Sequence, residues 1–251
     1  MKALFGASCE VSRAPGNSPV PTWKVTTAQG AYAVKLYASP EPAQGLAQLL
    51  SFLRASGFPV PACHARAFDA GAALVTDWLE GEVLGAALMA RPETAHELGL
   101  EFGRVHARLH ALPLPPEALH GLPRLEGAPG EGLALLHLDY HPFNILVRDG
   151  AVNAVLDWEN VRVGDPRADL ARTTAILSID PSVRTLPQPA QVALRAFRRG
   201  YVQGYGSVAG LEPFLAWAGE FLRRDLATRF DAGALAPARR WTQYWAYRSR
   251  V

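Results

Sequence analysis

The stretch Leu135–Glu159 carries the residues with the most evident chemistry. It holds Asp139, then Asn144, then a second carboxylate, Asp157. Asp149-Gly150 separates two apolar runs, and this residue pair favours the positive-φ, two-residue turn of a β-hairpin. With those two residues as the loop, Arg148 faces Ala151, Asn144 faces Val155 and Pro142 faces Asp157. Asn144 and Asp157 then lie at one open end as diagonal neighbours, about 7–8 Å apart at the backbone. Two oxygen donors of this kind suit magnesium bound to a polyphosphate, because magnesium takes oxygen ligands and leaves positions to water and phosphate. Asp139 sits on the loop entering the same end, where a carboxylate can orient an incoming hydroxyl and accept its proton. Phosphoryl transfer needs this kind of positioning and charge stabilisation. An Asp or an Asn alone at a strand end is commonplace. The specific signal is His137-x-Asp139 through Asn144, joined to the hairpin and its far-end acid.

The elements that must position these residues fall into two groups. Phe5 to Arg13 is a mixed segment, and Ala14–Pro19 has turn chemistry. Thr22–Thr27 and the alternating run Ala31–Tyr37 read as strands about a Gln29-Gly30 turn. Pro42 starts a helix that runs to about Ser56, with Leu46, Leu49, Leu50 and Leu53 on its apolar stripe. Gly57, Pro59 and Pro61 end it, Ala72–Trp78 is a short strand, and Gly81 and Gly85 mark a loosely structured crossing. Beyond this the pattern turns helical. Leu98, Phe102, Val105 and Leu109 recur at helical spacing within Glu93–Leu112, a Pro/Gly-rich connection spans Pro113–Gly132, and Leu133–Leu156 is a compact β segment. The chain is helical again from Ala190. The expectation is an α+β protein with a small β-rich first lobe, residues 1–80, and a larger mainly helical second lobe, residues 81–251.

Composition narrows the function classes. The chain has 251 residues, 49% hydrophobic and 19% charged, so a sizeable core is expected. A net charge of +2 argues against nucleic acid or an anionic membrane as an obligatory partner. Two cysteines, Cys9 and Cys63, are too few for a disulfide framework or a thiolate-built zinc site. There is no apolar run of roughly 18 residues, and the apolar part of the start is too short for a signal peptide, so a cytoplasmic protein is expected. Oligomeric state is left open.

The motifs together resemble the aminoglycoside phosphotransferase family, small-molecule kinases with a protein-kinase-like fold. The resemblance lies in His137-Leu138-Asp139 through Asn144, in Leu156-Asp157-Trp158-Glu159 and in Gly164-Asp165-Pro166-Arg167-Ala168-Asp169-Leu170-Ala171. Arg108–Leu112, Gly57–Pro61 and Leu74–Gly81 extend it over residues 10–175. It implies a two-lobed fold, ATP or GTP as phosphoryl donor, Mg2+, and a hydroxyl of a small molecule as acceptor. It further implies Asp139 as base, Asn144 and Asp157 as magnesium ligands, and Lys35 as the clamp on the phosphates. Gly16-Asn17-Ser18 would cover the phosphates, and the backbone from Asp77 to Leu79 would hold the purine.

One departure bears on the lysine. The family pairs it with a Glu on the following helix, where this chain offers Glu41 near the start and Gln44 and Gln48 in the interior. This motivates a second reading, a nucleotide-binding regulatory protein without turnover. A protein-kinase reading is poorer, because Leu138 stands where an arginine often reads a phosphorylated loop. His106 and His110, four apart on a predicted helix, are read as packing and hydrogen-bonding residues, and His137 as orienting the loop. Asp165 and Asp169 are read as structural; Glu159 is left between support of the metal and solvation. From Leu186 to Val251 there are ten arginines and four acids, a local balance of +6 that disfavours a polycationic aminoglycoside and points to a neutral or anionic acceptor.

Overall fold

The computed structural model describes residues 1–6, 8–14, 20–68, 71–115 and 121–251. The chain divides into two compact units, Met1–Gly81 with Asn153–Glu159, and Glu82–Val152 with Asn160–Val251.

The first unit opens with a short helix, α1 (Lys2–Phe5), where the sequence suggested only a mixed segment. Five antiparallel strands follow: β1 (Glu10–Arg13), β2 (Thr22–Thr27), β3 (Gly30–Tyr37), β4 (Cys63–Phe68) and β5 (Gly71–Asp77), in sheet order β1-β2-β3-β5-β4. One face of the sheet buries Val25, Val34, Ala73 and Val75, and Phe5 packs over Tyr32 at 5.6 Å. Helix α2 (Pro40–Ala55) packs on β4 and β5 and buries Leu46, Leu49, Leu50 and Leu53, the stripe expected from its spacing. β4 was not expected. Its sequence, Cys-His-Ala-Arg-Ala-Phe, holds no β-branched residue, and it forms because it lies at the sheet edge with half its side chains facing out. The segment Asn153–Glu159 joins this unit through Val155, whose N–H donates to the Pro59 carbonyl at 2.8 Å, and through Trp158, edge-on to Phe58 at 6.0 Å.

The second unit begins with β6 (Glu82–Val83) and α3 (Leu84–Ala90), where a loose crossing was expected. α4 (Ala95–His110), β7 (Ala134–Leu136), β8 (Ile145–Arg148), β9 (Ala151–Val155) and β10 (Arg162–Gly164) come next. Asp149 and Gly150 form the turn between β8 and β9 with φ of 53° and 80°, the positive values expected of that residue pair. β9 carries the chain from the second unit into the first. Five helices complete the second unit: α5 (Pro166–Ile179), α6 (Pro181–Arg184), α7 (Gln188–Tyr205), α8 (Glu212–Asp225) and α9 (Ala236–Arg248). Ala168, Ala171 and Ala175 of α5 pack with Phe214, Leu215 and Leu222 of α8 in one core cluster. Among the described residues no helix is long and apolar enough to cross a membrane.

The pairing of α4 with α7 fixes where the histidines of α4 sit. Gly99 and Gly103 of α4 meet α7 backbone directly, and Gly200 and Gly204 of α7 meet α4 backbone in return. A Cβ on Gly99 would lie 2.1 Å from the Phe197 carbonyl oxygen, so the helices approach as closely as backbone allows. Phe102 fills the contact, with ring centroids 4.3 Å from Tyr140 and 5.1 Å from both Phe197 and Tyr201. Gly99→Ala should force the helices apart and cost about 1–3 kcal/mol in chemical denaturation. An unchanged unfolding midpoint would contradict this account of the contact.

Candidate functional site

The loop bearing Asp139 is held from behind by α5. Leu138 has φ of 60°, a left-handed backbone that is costly for a residue with a branched side chain. Asp169, fully buried, accepts the backbone N–H of His137 at 2.6 Å and that of Leu138 at 2.9 Å. Arg172 places Nε 3.4 Å from the Leu138 carbonyl oxygen, and Thr173 donates its hydroxyl to the Tyr140 carbonyl at 2.9 Å. Three residues of one helix therefore grip the backbone on both sides of Asp139. These bonds offset the strain at Leu138.

A buried carboxylate needs donors to remain ionised. His110 Nε2 lies 3.2 Å and His106 Nε2 3.3 Å from the same oxygen of Asp169. Each ring turns its Nδ1 to a tyrosine hydroxyl, Tyr201 at 2.9 Å for His106 and Tyr205 at 2.6 Å for His110. With those hydroxyls donating, the His110 Nε2–H bonds Asp169, while His106 Nε2 lies near the same oxygen without a hydrogen-bond partner among the described residues. Burial alone would raise the Asp169 carboxyl, but His106 and His110 outweigh it and hold the group well below the ordinary range. Burial pushes the His106 imidazole down to about 4, with His110 adding to the effect and Asp169 opposing it. The ligand atoms of His106, His110 and Asp169 lie within 4.8 Å of one another, close enough to consider a metal ion. Within it His106 bonds Tyr201, His110 bonds Tyr205 and Asp169, and Asp169 bonds the 137–138 backbone. Asp165 does something different. It caps α5 by accepting the Arg167 N–H at 3.0 Å and pairs with the Arg167 guanidinium at 2.7 Å.

Asp139 and Asn144 are brought together on the front of this loop. Asn144 Nδ2 donates to the Asp139 carbonyl at 3.0 Å and to its Oδ2 at 3.1 Å. The same Nδ2 lies 3.3 Å from His141 Nε2, and Asn144 Oδ1 is an acceptor only. The Asp139 N–H donates to His137 Nδ1 at 3.2 Å, so His137 orients the loop through its ring as well as its backbone. His141 accepts the Phe143 N–H on Nδ1 at 3.2 Å and places Nε2 3.5 Å from Asp139 Oδ1. Burial would raise the Asp139 carboxyl, but the His141 hydrogen bond and the charges of His141, His137 and Arg172 outweigh it and lower it to about 2. Asp139 is therefore an ionised acceptor throughout the neutral range.

The second group of side chains lies in the first unit. Lys35 on β3 places Nζ 2.8 Å from Asp157 Oδ1 and 2.5 Å from Glu159 Oε1. Tyr37, two residues along the same strand, donates its hydroxyl to Glu159 Oε1 at 2.9 Å. Asp157 has φ of 64°, at the entry to the 3₁₀ turn Trp158–Asn160. Burial would lower the Lys35 ammonium, but Glu159 and Asp157 outweigh it and hold it above its ordinary value. Burial and the adjacent Asp157 push Glu159 up, to about 7, against the pull of Lys35.

Asp77 and Leu79 also belong to the first unit. The Asp77 N–H donates to the Ala62 carbonyl and the Trp78 N–H to the Ala31 carbonyl, both at 3.0 Å. Gly16, Asn17 and Ser18 lie outside the described residues. Glu41 is exposed and bonds Ser39, and Gln44 and Gln48 are exposed on α2. Glu159, for which the sequence offers support of the metal or solvation, is half-buried on Lys35. Its place in the Asp157-Trp158-Glu159 motif was the available signal. Asn144 in the second unit and the Asp157 carboxylate in the first each carry a hard oxygen of the type magnesium takes.

The α+β arrangement is that of the protein-kinase-like phosphotransferases. A candidate aminoglycoside phosphotransferase from Ralstonia eutropha JMP134 has 20% identity and a TM-score of 0.67, over 97% of this chain and 93% of that one. A thermostable variant of aminoglycoside phosphotransferase APH(4)-Ia, in a ternary complex with AMP-PNP and hygromycin B, has 14% identity and a TM-score of 0.65, over 100% and 97%. The macrolide 2'-phosphotransferase MphH from Brachybacterium faecium has 19% identity and a TM-score of 0.57, over 94% and 93%. No curated protein matches the chain. The chain matches the phosphotransferase enzyme family over residues 10–134 and 123–218, and it belongs to that family.

The clasp around Asp169 has a pH signature. His106 titrates near pH 4 in the folded chain and near 6.5 when unfolded, so between these values the unfolded chain binds more protons. Stability should fall as pH drops from 6.5 to 4, by about 3 kcal/mol from this group. His106→Gln should flatten that window in denaturant titrations at several pH values. An equal slope in both proteins would contradict the assignment.

Proposed function

We propose that the protein transfers the γ-phosphoryl group of ATP or GTP to a hydroxyl of a small molecule. The observation that carries this reading is Asp139, held ionised on a braced loop and bonded to Asn144. The acceptor oxygen forms its bond to the γ-phosphorus, the bond to the β–γ bridging oxygen breaks, and the hydroxyl proton passes to Asp139. A carboxylate this acidic acts first as an orienting acceptor and takes the proton late, which suits a loose phosphoryl-transfer transition state. Magnesium would be held by Asn144 and Asp157, and it would neutralise charge on the phosphates. Lys35 contacts the phosphates. The N–H groups of Asp77 and Trp78 are engaged within the first unit, so the purine is served by the Asp77 carbonyl and the Leu79 backbone. Gly16-Asn17-Ser18 is assigned to cover the phosphates.

The acceptor is read as a neutral or anionic compound. A groove of about 730 Å³ in the second unit is lined by Trp217, Phe221, Glu220, Arg224, Asp225 and Thr242, among others, a volume suited to a small ligand. Of its three acids, Glu220 pairs with Arg223 and Arg224 and Asp225 with Arg172, while Glu126 is exposed. A polycation would find little uncompensated negative charge there. The regulatory reading takes its motive from the lack of a helix acid beside Lys35, and the Lys35–Glu159 ion pair speaks against it.

With the acceptor identified by a phosphate-acceptor screen, Asp139→Asn should reduce turnover by about 10²–10⁴-fold while nucleotide affinity survives. Asp157→Ala should weaken binding of the magnesium–nucleotide complex itself. Full activity in both variants would overturn the assignment of roles, and comparable turnover of kanamycin-like compounds would overturn the acceptor class.

A further inference from the structure

We propose that Glu159 is the positioning residue for the Lys35 ammonium, in place of an acid on helix α2. This rests on the phosphotransferase reading above. Lys35 Nζ meets Glu159 Oε1 at 2.5 Å, and Tyr37 donates to the same oxygen at 2.9 Å, so the carboxylate is fixed from two sides. The side chains of Lys35 and Glu159 are only 14% and 17% exposed, which limits screening of the pair by water. Asp157 is the carboxylate assigned to magnesium, so the lysine needs a second acid, and Glu159 supplies it.

Helix α2 supplies none. Its buried face consists of Ala43, Leu46, Leu49, Leu50 and Leu53, and its acid, Glu41, is exposed at the first turn. Glu159 is positioned by the turn that carries it. Trp158 is buried, donates Nε1–H to the Val155 carbonyl at 3.0 Å and stands edge-on to Phe58. The clamp is thus built from β3 and the turn Trp158–Asn160, both within the first unit. Its assembly does not depend on α2. A helix carrying the lysine's counter-charge can switch a kinase by moving away; α2 offers no such handle on Lys35.

The test is calorimetric binding of ADP with and without Mg2+ to wild type, Glu159→Gln, Lys35→Ala and the double variant. Glu41→Gln, Gln44→Ala and Gln48→Ala serve as controls. Glu159→Gln should weaken MgADP binding on the order of tenfold, as loss of one charge-assisted bond would. The double variant should bind no more weakly than Lys35→Ala, because the two residues act as one unit. Half-saturating Mg2+ should stay unchanged, and the α2 variants should bind as wild type. Tyr37→Phe, which keeps both charges, should give a smaller loss in the same direction. Additive losses, a shift in half-saturating Mg2+ or weakened binding in the α2 variants would overturn the inference. Failure of the wild type to bind MgADP would instead overturn the phosphotransferase reading on which it rests.

Discussion

Asp169 is a carboxylate with no solvent exposure that remains ionised inside the second unit. Such a charge is tolerated only where donors surround it, and here they come from two sources. The loop His137–Leu138 gives two backbone N–H groups, and α4 gives the His110 imidazole, with that of His106 3.3 Å away. The exchange works in both directions. The donors keep Asp169 charged, and the charge keeps Leu138 in a backbone conformation it would not otherwise hold. The side chain directed by that conformation is Asp139. The glycine contact between α4 and α7 belongs to the same chain of causes. It sets the histidines of α4 against the tyrosines of α7, whose hydroxyls fix the imidazole tautomers.

A second charge cluster is organised on different terms. Lys35, Asp157 and Glu159 form a partly buried cation–dicarboxylate group, with Tyr37 as its fixed donor. Its two acids come from one short turn that belongs to the first unit, although the chain reaches it through the hairpin β8–β9. The residues flanking that hairpin thus belong to two compact units, Asn144 to one and Asp157 to the other. Buried ion pairs of this kind contribute little net stability. Their use here is to hold an ammonium and a carboxylate at fixed places.

Much of the fold could be read from residues because local signals and tertiary contacts agree. Asp149-Gly150 announced its hairpin, and the leucines of α2 announced its buried face. The misses have different causes. β4 has no β-branched residue, so contacts with neighbours decide it, whereas α3 is made of good helix formers but is a short helix with Gly81 and Gly85 near its start, which read as a loose crossing. The pattern singled out Asp139 and Asn144, and the structure brings these two together. Periodicity placed His106 and His110 on one face of a helix. It could not say that the face meets Asp169, because that contact links distant parts of the chain. Asp165 and Asp169 looked alike in sequence and divide the work, one capping a helix and the other gripping a loop. Glu159 was the least legible, since its contact with Lys35 links distant parts of the chain.

The account turns on whether Asp169 holds the backbone ahead of Asp139. Amide hydrogen exchange of His137 and Leu138 measures this directly. In the wild type both amides should exchange only by global unfolding, and in a folded Asp169→Asn variant both should exchange much faster while the amides of α5 stay protected. Equal protection of the two amides in both proteins would contradict it.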